Sequence, residues 1–264
     1  MKATLLIVLA VSLAGQISGP RPQDLLEVDR PLRADEIATV LASVRAALAG
    51  KAVRLARPEG ANGGSGREMI IGRNGLPHFE RTSLSYEGGW VGGAVDGTPL
   101  STHYRVDALV ITEFTGRAAR GCDGTPRVGE LMIEYTNEGH GWTTKVKTMR
   151  GLGYPAGAFD ILTGALPSHM GERGFVAGRI ARAFIARWTP PPDGHSQPPL
   201  IIGDPFPNVR RDPPPSAQTQ TLWIDAESLL PLQWESPGNA FAFRYDPAIT
   251  IAQPDGVTAP NCVP

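Results

Sequence analysis

The stretch TQTLWIDAESLLPLQWE, residues 219–235, carries the strongest fold signal in the chain. It predicts strands at 219–225 and 230–236, because apolar and polar side chains alternate within each run, as they do in a half-buried strand. Residues 226–229 break that alternation and are predicted to be a turn. Asp225 suits the first position of this turn, since its carboxylate can accept hydrogen bonds from backbone N–H groups two residues on. The stretch is therefore typical of a β-hairpin.

A third strand is predicted at 240–246, beside this hairpin. Its aromatic side chains, Phe241, Phe243 and Tyr245, alternate with two alanines and an arginine. The three strands together are expected to carry one apolar, aromatic face. Three side chains of the hairpin are expected to be buried: Leu222, Leu232 and Trp234.

One amphipathic helix is predicted ahead of the strands. Asp35 is expected to cap it, with Glu36 in the first turn, where the helix dipole favours an acid. Gly50 is expected to end the helix. Its apolar residues fall on a single stripe, which needs a sheet to lie on: Ile37, Val40, Leu41, Val44 and Leu48.

Further strands are predicted to follow this helix in succession. An Asn-Gly pair at 74–75 is a strong turn signal between two of them, and a glycine-flanked loop is predicted at 88–93. One or two short helical turns are predicted within 156–171. The expected strands are 51–57, 68–72, 79–86, 106–114, 128–135 and 142–149.

The segment 173–188 fits either a helix or two strands. Gly174 and Gly178 would each weaken a helix by about 1 kcal/mol relative to alanine. Two strands that turn at Ala177-Gly178 are therefore predicted.

A proline-rich segment, 189–216, follows these strands. It holds ten prolines between residues 190 and 215, and this composition predicts an extended, irregular insertion. The insertion is interpreted either as a lid or as a surface excursion.

The first residues, 1–19, have the pattern of a secretory signal peptide. Lys2 supplies the positive start, 5–13 is an apolar run too short to span a membrane, and cleavage is predicted after Ala14. The alternative is a buried N-terminal helix. Export would place the chain in the periplasm or outside the cell, where disulfides form. The mature chain is divided into a polar lead-in at 20–33 and a single domain at 34–264.

The composition excludes some classes of partner. The 264-residue chain has a formal net charge of −1, whereas a nucleic-acid-binding protein is expected to be clearly basic. Nothing after the leader is apolar enough to predict a transmembrane span. No partner chain or oligomeric state is indicated.

Three features together resemble the periplasmic lipoprotein-carrier superfamily, the LolA and LppX-like proteins. These are the N-terminal helix followed by strands, Gly178-Arg179 leading through a strand to Pro190, and Leu-Trp-Ile-Asp followed by Leu-Pro-Leu in the hairpin. The resemblance is best over 173–250. It implies an open half-barrel, that is, a helix-covered curved antiparallel sheet with an apolar concave face. The proline-rich insertion and the segment around Cys122 depart from the family pattern.

No catalytic motif or metal-ligand pattern is present in the sequence. The five histidines have neither helical pair spacing nor neighbouring ligand residues. The run Gly63-Gly64-Ser65-Gly66-Arg67 begins like a nucleophile elbow but fails at Arg67. Neither a metal nor a cofactor is predicted, and the protein is interpreted as non-catalytic.

Two kinds of residue are candidates for binding a ligand. Arg179 and Arg187 share a strand face and could hold an anionic headgroup, although salt bridges to nearby acids are the alternative. Aromatic residues of the three strands could line an apolar cavity, although core packing is the alternative. These aromatic residues are Trp223, Trp234, Phe241, Phe243 and Tyr245.

The two cysteines, Cys122 and Cys262, are predicted to form a disulfide. Both lie in polar, turn-like segments, export removes the reducing environment, and two cysteines pair with none left over. Such a bond would fix the C-terminal tail across the sheet. The alternative is two free thiols too far apart to be bridged.

The sequence therefore predicts an α+β protein with a single curved antiparallel sheet and a few helices packed on it. The expected function is non-catalytic binding of an apolar or amphipathic ligand, a lipid or a lipid-anchored chain, in the cell envelope. One alternative is an envelope structural or protein-interaction module. Another is a secreted hydrolase whose site is assembled from scattered residues.

Overall fold

The computed structural model describes residues 20–56, 67–95, 98–149, 158–188 and 217–264. The predicted leader at 1–19 and the proline-rich insertion at 189–216 lie outside the described residues. The helices are α1 (Pro22–Glu27), α2 (Ala34–Leu48) and α3 (Ala158–Thr163). The strands are β1 (Ala52–Ala56), β2 (Arg67–Ile71), β3 (Pro77–Val95), β4 (Thr98–Arg120), β5 (Pro126–Asn137), β6 (Trp142–Met149), β7 (Ser168–Val176), β8 (Arg179–Trp188), β9 (Gln218–Asp225), β10 (Pro231–Ser236) and β11 (Asn239–Tyr245).

All eleven strands belong to one open antiparallel sheet. Their order is β6-β5-β4-β3-β2-β1-β11-β10-β9-β8-β7, so each half of the chain forms a meander and the two meanders meet where β1 pairs with β11. We call β1–β6 the first wing and β7–β11 the second wing. The predicted α+β class with one curved antiparallel sheet is confirmed.

The predicted hairpin and its third strand are confirmed. Trp234 lies opposite Leu222 on one side and Phe241 on the other, so all three share a face. Leu222 is fully buried, as expected, but Leu232 and Trp234 are only half-buried. The register shifts between Pro231 and Gln233.

The three helices cover one face of the sheet, which we call the inner face. Val40 and Val44 of α2 are completely buried against Val53 of β1 and Leu222 of β9. The side chains of Ile161 and Leu162 in α3 join the same apolar cluster. This face holds the main hydrophobic core, as the amphipathic stripe of α2 predicted.

The start of α2 differs from the prediction. Arg33 occupies the N-cap position and Asp35 lies in the first turn. Glu36 closes the capping box, because its carboxylate accepts the Arg33 backbone N–H at 2.9 Å. It also accepts two hydrogen bonds from the Arg30 guanidinium, at 2.8 and 2.7 Å. These donors hold the pKa of Glu36 at about 2.

The lead-in segment is more ordered than predicted. It contains α1, whose Leu25 and Leu26 are buried in the main core. Arg182 of β8, itself buried, donates to the backbone oxygens of Leu26 (3.1 Å) and Val28. The guanidinium thus satisfies carbonyl groups left open at the end of this short helix.

One predicted loop was wrong. The segment 88–93 is part of β3, because it pairs with β4, Gly89 lying opposite His103. The short helical turn predicted within 156–171 is confirmed as α3, and β7 begins at Ser168, before the end of that range. The predicted strand pair with a turn at Ala177-Gly178 is confirmed: both turn residues have positive φ, 49° and 80°, which is typical of a two-residue hairpin turn.

The opposite face, which we call the outer face, is covered in the first wing by the C-terminal tail, residues 246–264. Ile249 and Ile251 of the tail are buried against Ile111, Ile133 and Tyr135. Val257 and Ala259 pack on the same cluster. Apolar contacts therefore hold the tail on the outer face of the sheet.

The predicted disulfide between Cys122 and Cys262 is present, with a Cα–Cα distance of 4.9 Å. It lies beside a short bridge in which the Cys122 N–H donates to Val263 O at 3.0 Å and the Val263 N–H donates to Arg120 O at 2.8 Å. The end of the tail is thus attached to the β4–β5 turn, across the sheet from where the tail begins.

We predict that Cys122→Ser and Cys262→Ser each lower the stability of the protein produced under oxidising conditions by up to about 5 kcal/mol, because the bond closes a long loop of the unfolded chain. The measurement is urea unfolding of each variant and of the double variant, which should match. Mass spectrometry after alkylation without reduction should add no alkyl group to the wild-type protein. Two added groups would contradict the bond.

We predict that Glu36 makes the stability pH-dependent in acid. Its pKa is depressed from 4.5 to about 2, so its contribution is complete above pH 4.5 and is lost as the pH falls towards 2. Melting temperatures measured from pH 7 to pH 2 should therefore fall less steeply below pH 4.5 in Glu36→Gln, which is already destabilised at pH 7. Asp35→Asn is the control, since this neighbouring side chain is 72% exposed. Parallel pH curves for Glu36→Gln and the wild type would exclude the proposed role.

Candidate functional site

Three predicted ligand-binding residues lie in or against the main core on the inner face. Phe243 is 6% exposed and belongs to the core cluster, and Trp234 and Tyr245 pack against that cluster. The Tyr245 hydroxyl donates to Pro231 O at 2.7 Å. Burial, assisted by the negative charge of Asp225, raises the pKa of Tyr245 far above its ordinary value. Much of this aromatic surface is thus in contact with other apolar side chains.

Phe241 shares this inner face. Its ring stacks on Trp234 with the centroids 5.3 Å apart. Trp234 Nε1–H donates to the buried side-chain oxygen of Gln220 at 3.2 Å. The two rings therefore lie together, as expected, and a polar contact fixes one of them.

Trp223 lies on the outer face, so the five predicted aromatic residues do not line one surface. Its Nε1–H donates to Glu235 Oε1 at 3.0 Å. Its ring lies close against Gly174 of the edge strand β7, where an added Cβ would meet ring atoms at 2.6 Å. Glycine at 174 therefore makes room for the indole.

The two predicted arginines also share the outer face, as their spacing indicated. Arg179 donates to Asp225 Oδ2 at 2.7 Å, whereas Arg187 is exposed and lies opposite Thr219. Arg182 points to the inner face. The geometry brings Arg179, but not Arg187, to the cleft described next.

An open cleft of about 930 Å³ lies where α1 faces the turn end of the β7–β8 hairpin. The turn that follows β9 closes its third side. Its apolar lining is contributed by Leu26, Phe175, Ile180, Ala181 and Ala226. The volume falls within the range of small-molecule sites, and of the seven predicted ligand-binding residues only Arg179 lines it.

Opposite charges balance along the cleft. Four arginines line it, Arg21, Arg173, Arg179 and Arg182, together with the acids Asp24, Glu27, Asp225 and Glu227. Arg21 pairs with Asp24 at 2.9 Å, and Arg173 contacts Asp29 at 3.4 Å. The cleft is thus polar at its rim without an excess of either sign.

Asp225 organises the turn beside the cleft. Its carboxylate accepts hydrogen bonds from the Glu227 N–H at 3.2 Å, the Ser228 hydroxyl at 2.5 Å and Arg179. Burial alone would raise the pKa of Asp225, but the hydrogen bonds from Ser228 and Arg179 outweigh it and leave the pKa lowered. The predicted turn-forming role of this residue is confirmed.

Two apolar side chains at the mouth of the cleft are exposed to solvent. Phe175 is 75% exposed and Ile180 is 62% exposed. They are register partners on the last rungs of the β7–β8 hairpin. Their exposure was not predicted, because the sequence does not show which face of these strands the helices leave uncovered. Arg21 and Asp24 were not predicted as site residues, because the lead-in was not predicted to fold.

A scan against family models and a search of curated proteins find no match to this chain. Among the described residues, no helix is both long and apolar enough to cross a bilayer. The same part of the chain contains no group of three histidine, cysteine, aspartate or glutamate residues placed to hold a metal ion.

We predict that Asp225→Asn destabilises the protein by about 1.5–3 kcal/mol, the range for hydrogen bonds to a charged group, because Arg179 loses its carboxylate partner. Thermal and urea unfolding measure the change. Glu227→Gln is the matched control, since it removes an exposed acid from the same turn. Equal stability of the two variants would show that the Asp225 charge does not support the turn.

Proposed function

We propose that this protein is an exported, non-catalytic binding protein that holds an apolar or amphipathic ligand in the cell envelope. The observation that carries the proposal is the cleft between α1 and the β7–β8 hairpin. Its mouth exposes Phe175 and Ile180, and its volume is about 930 Å³. An exposed apolar surface beside a concave site is typical of ligand-binding grooves.

The charges of the cleft favour a neutral or zwitterionic head on that ligand. Arg21 and Arg179 already have carboxylate partners, at 2.9 and 2.7 Å. A strongly anionic group would have to displace those partners or leave their charges unpaired. A lipid or a lipid-anchored chain meets both the apolar and the charge requirement of the cleft. Its apolar part would lie against Phe175 and Ile180, and its head would be neutral or zwitterionic.

The fold resemblance adds support of a general kind. One open antiparallel sheet with helices on a single face is the architecture that the resemblance to the LolA and LppX-like carriers implies. Export is supported by the leader pattern of residues 1–19 and by the Cys122–Cys262 disulfide.

A second candidate function is an envelope structural or protein-interaction module. It is favoured by the close packing of the inner face, where Phe243 is 6% exposed and Leu222 and Phe184 are fully buried. In that case the inner face serves stability alone, and the protein would take up no apolar ligand.

The proposal is tested first by native mass spectrometry of the protein purified from its own envelope. A co-purifying mass that matches a lipid or an acylated chain is expected. A hydrophobic fluorescent dye should also bind with a stoichiometry near one. Protein that carries no lipid and binds no dye would favour the structural module.

Ala226→Trp should weaken dye binding at least tenfold, because the indole would fill the cleft from the turn after β9. Ala248→Trp is the matched control, since it places the same side chain at an exposed turn of the tail. Fluorescence titration measures both affinities, and circular dichroism checks the fold. Equal affinities in the two variants would exclude the cleft as the binding site.

A further inference from the structure

We propose that the turn end of the β7–β8 hairpin docks on a lipid bilayer, with Phe175 and Ile180 entering its interfacial layer. The inference rests on the proposed function for its purpose, which is to bring the cleft to a membrane that supplies or receives the ligand. It uses the two exposed side chains at the mouth of the cleft, Phe175 and Ile180, but its test is separate from that of ligand binding.

The hairpin extends beyond the strand next to it. The last rung that β8 shares with β9 is Ala181 with Asp225. The β7–β8 ladder continues for two more rungs, to Phe175 opposite Ile180 and Val176 opposite Arg179. The two apolar side chains therefore lie where the β7–β8 ladder runs past the end of β9, beside the turn whose Ala226 N–H donates to Ile180 O at 3.1 Å. Both lie on the inner side of the sheet.

This end of the hairpin is held firmly in place. Arg182 lies two residues after Ile180 on β8, on the same face. It donates to the backbone oxygens of Leu26 and Val28. Arg173 contacts Asp29 at 3.4 Å, and on the outer face the Trp223 ring packs against Gly174. The exposure of Phe175 and Ile180 is thus a feature of an anchored element.

The size of the apolar patch favours a bilayer over a protein partner. One aromatic side chain buries about 150–250 Å², whereas a stable protein interface buries about 800 Å² on each partner. Two side chains supply too little area for such an interface. A bilayer requires no complementary shape, and binding to it grows with the apolar area inserted.

The charges around the patch favour a zwitterionic membrane surface. Arg179 beside the turn is paired with Asp225, and Arg21 across the cleft is paired with Asp24. Electrostatic attraction to anionic lipid needs unpaired basic residues. Docking is therefore expected to depend on apolar insertion and only weakly on salt.

The test is co-flotation of the full, disulfide-bonded protein with vesicles of pure phosphatidylcholine and of phosphatidylcholine with one-third phosphatidylglycerol. The wild type should float with both, with less than a threefold difference in partition coefficient. Phe175→Ser with Ile180→Ser should lower the coefficient at least tenfold, and Phe175→Trp should retain or increase it. Val128→Ser is the matched control, because Val128 is 69% exposed on β5 of the other wing, and it should float like the wild type.

Several outcomes would overturn the inference. These are no flotation of the wild type, equal flotation of the double serine variant, or equal losses in that variant and in Val128→Ser. Flotation only with phosphatidylglycerol, lost in high salt, would point to a basic surface instead. A dimer in size-exclusion chromatography that the double variant abolishes, without vesicle binding, would assign the patch to a second copy.

Ligand uptake and docking can fail separately. Ala226→Trp should lose dye binding and still float with vesicles. A co-purifying lipid without flotation would leave the proposed function standing and remove the docking surface. Flotation without any bound lipid or dye would leave the docking surface standing and remove the proposed function.

Discussion

The first and last of the described strands pair with each other, and the sheet is continuous because they do. Val53 of β1 lies opposite Tyr245 of β11, so the two meanders join only after nearly the whole chain has been arranged. Helix α2 lies over this junction, with Val40 and Val44 buried in the same cluster as Val53 and Phe243. Contacts between residues so distant in sequence form late and slow folding. The main core depends on this junction, since it draws residues from both wings.

The position of the cleft follows from that junction through a short chain of contacts. Helix α2 is fixed over β1 and β11, and α1 packs against α2. Arg182 then binds the end of α1 to β8. Its guanidinium is buried, and burial, together with the positive charge of Arg173, lowers its pKa. An arginine without acceptors at such a site would be costly, so the carbonyl oxygens of Leu26 and Val28 define where α1 must lie.

Patterns of period two predicted the second wing well. The alternation of Leu222, Trp223 and Ile224 specifies both the strand and the side on which each residue lies, and Asp225 marks the turn through its own hydrogen bonds. The bounds of β9, β10 and β11 were correct to within one residue at the described ends. The disulfide was also predictable, because two cysteines allow one pairing and the predicted leader indicated a compartment in which disulfides form.

Other features depend on contacts that no local pattern contains. The lead-in reads as polar, yet Leu25 and Leu26 are buried because Arg182, far along the chain, fixes α1. The loop predicted at 88–93 is glycine-rich, which lowers strand propensity, but its partner β4 supplies the backbone hydrogen bonds. Exposure of Phe175 and Ile180 could not be inferred, because alternation shows that two faces exist and not which of them is covered. The helices end short of these residues, and that is a property of the assembled fold.

The tail and its disulfide have a consequence for how the two wings can separate. Cys262 ties the chain end to the β4–β5 turn in the first wing, while the tail itself begins at the end of β11 in the second. The chain that runs from β6 to β7 already links the two wings, and the disulfide makes the 17 residues 246–262 a second covalent link between them. If β1 and β11 part, this short second link keeps β11 near its partner at a high effective concentration. Covalent closure thus limits how far the two wings can separate at the junction.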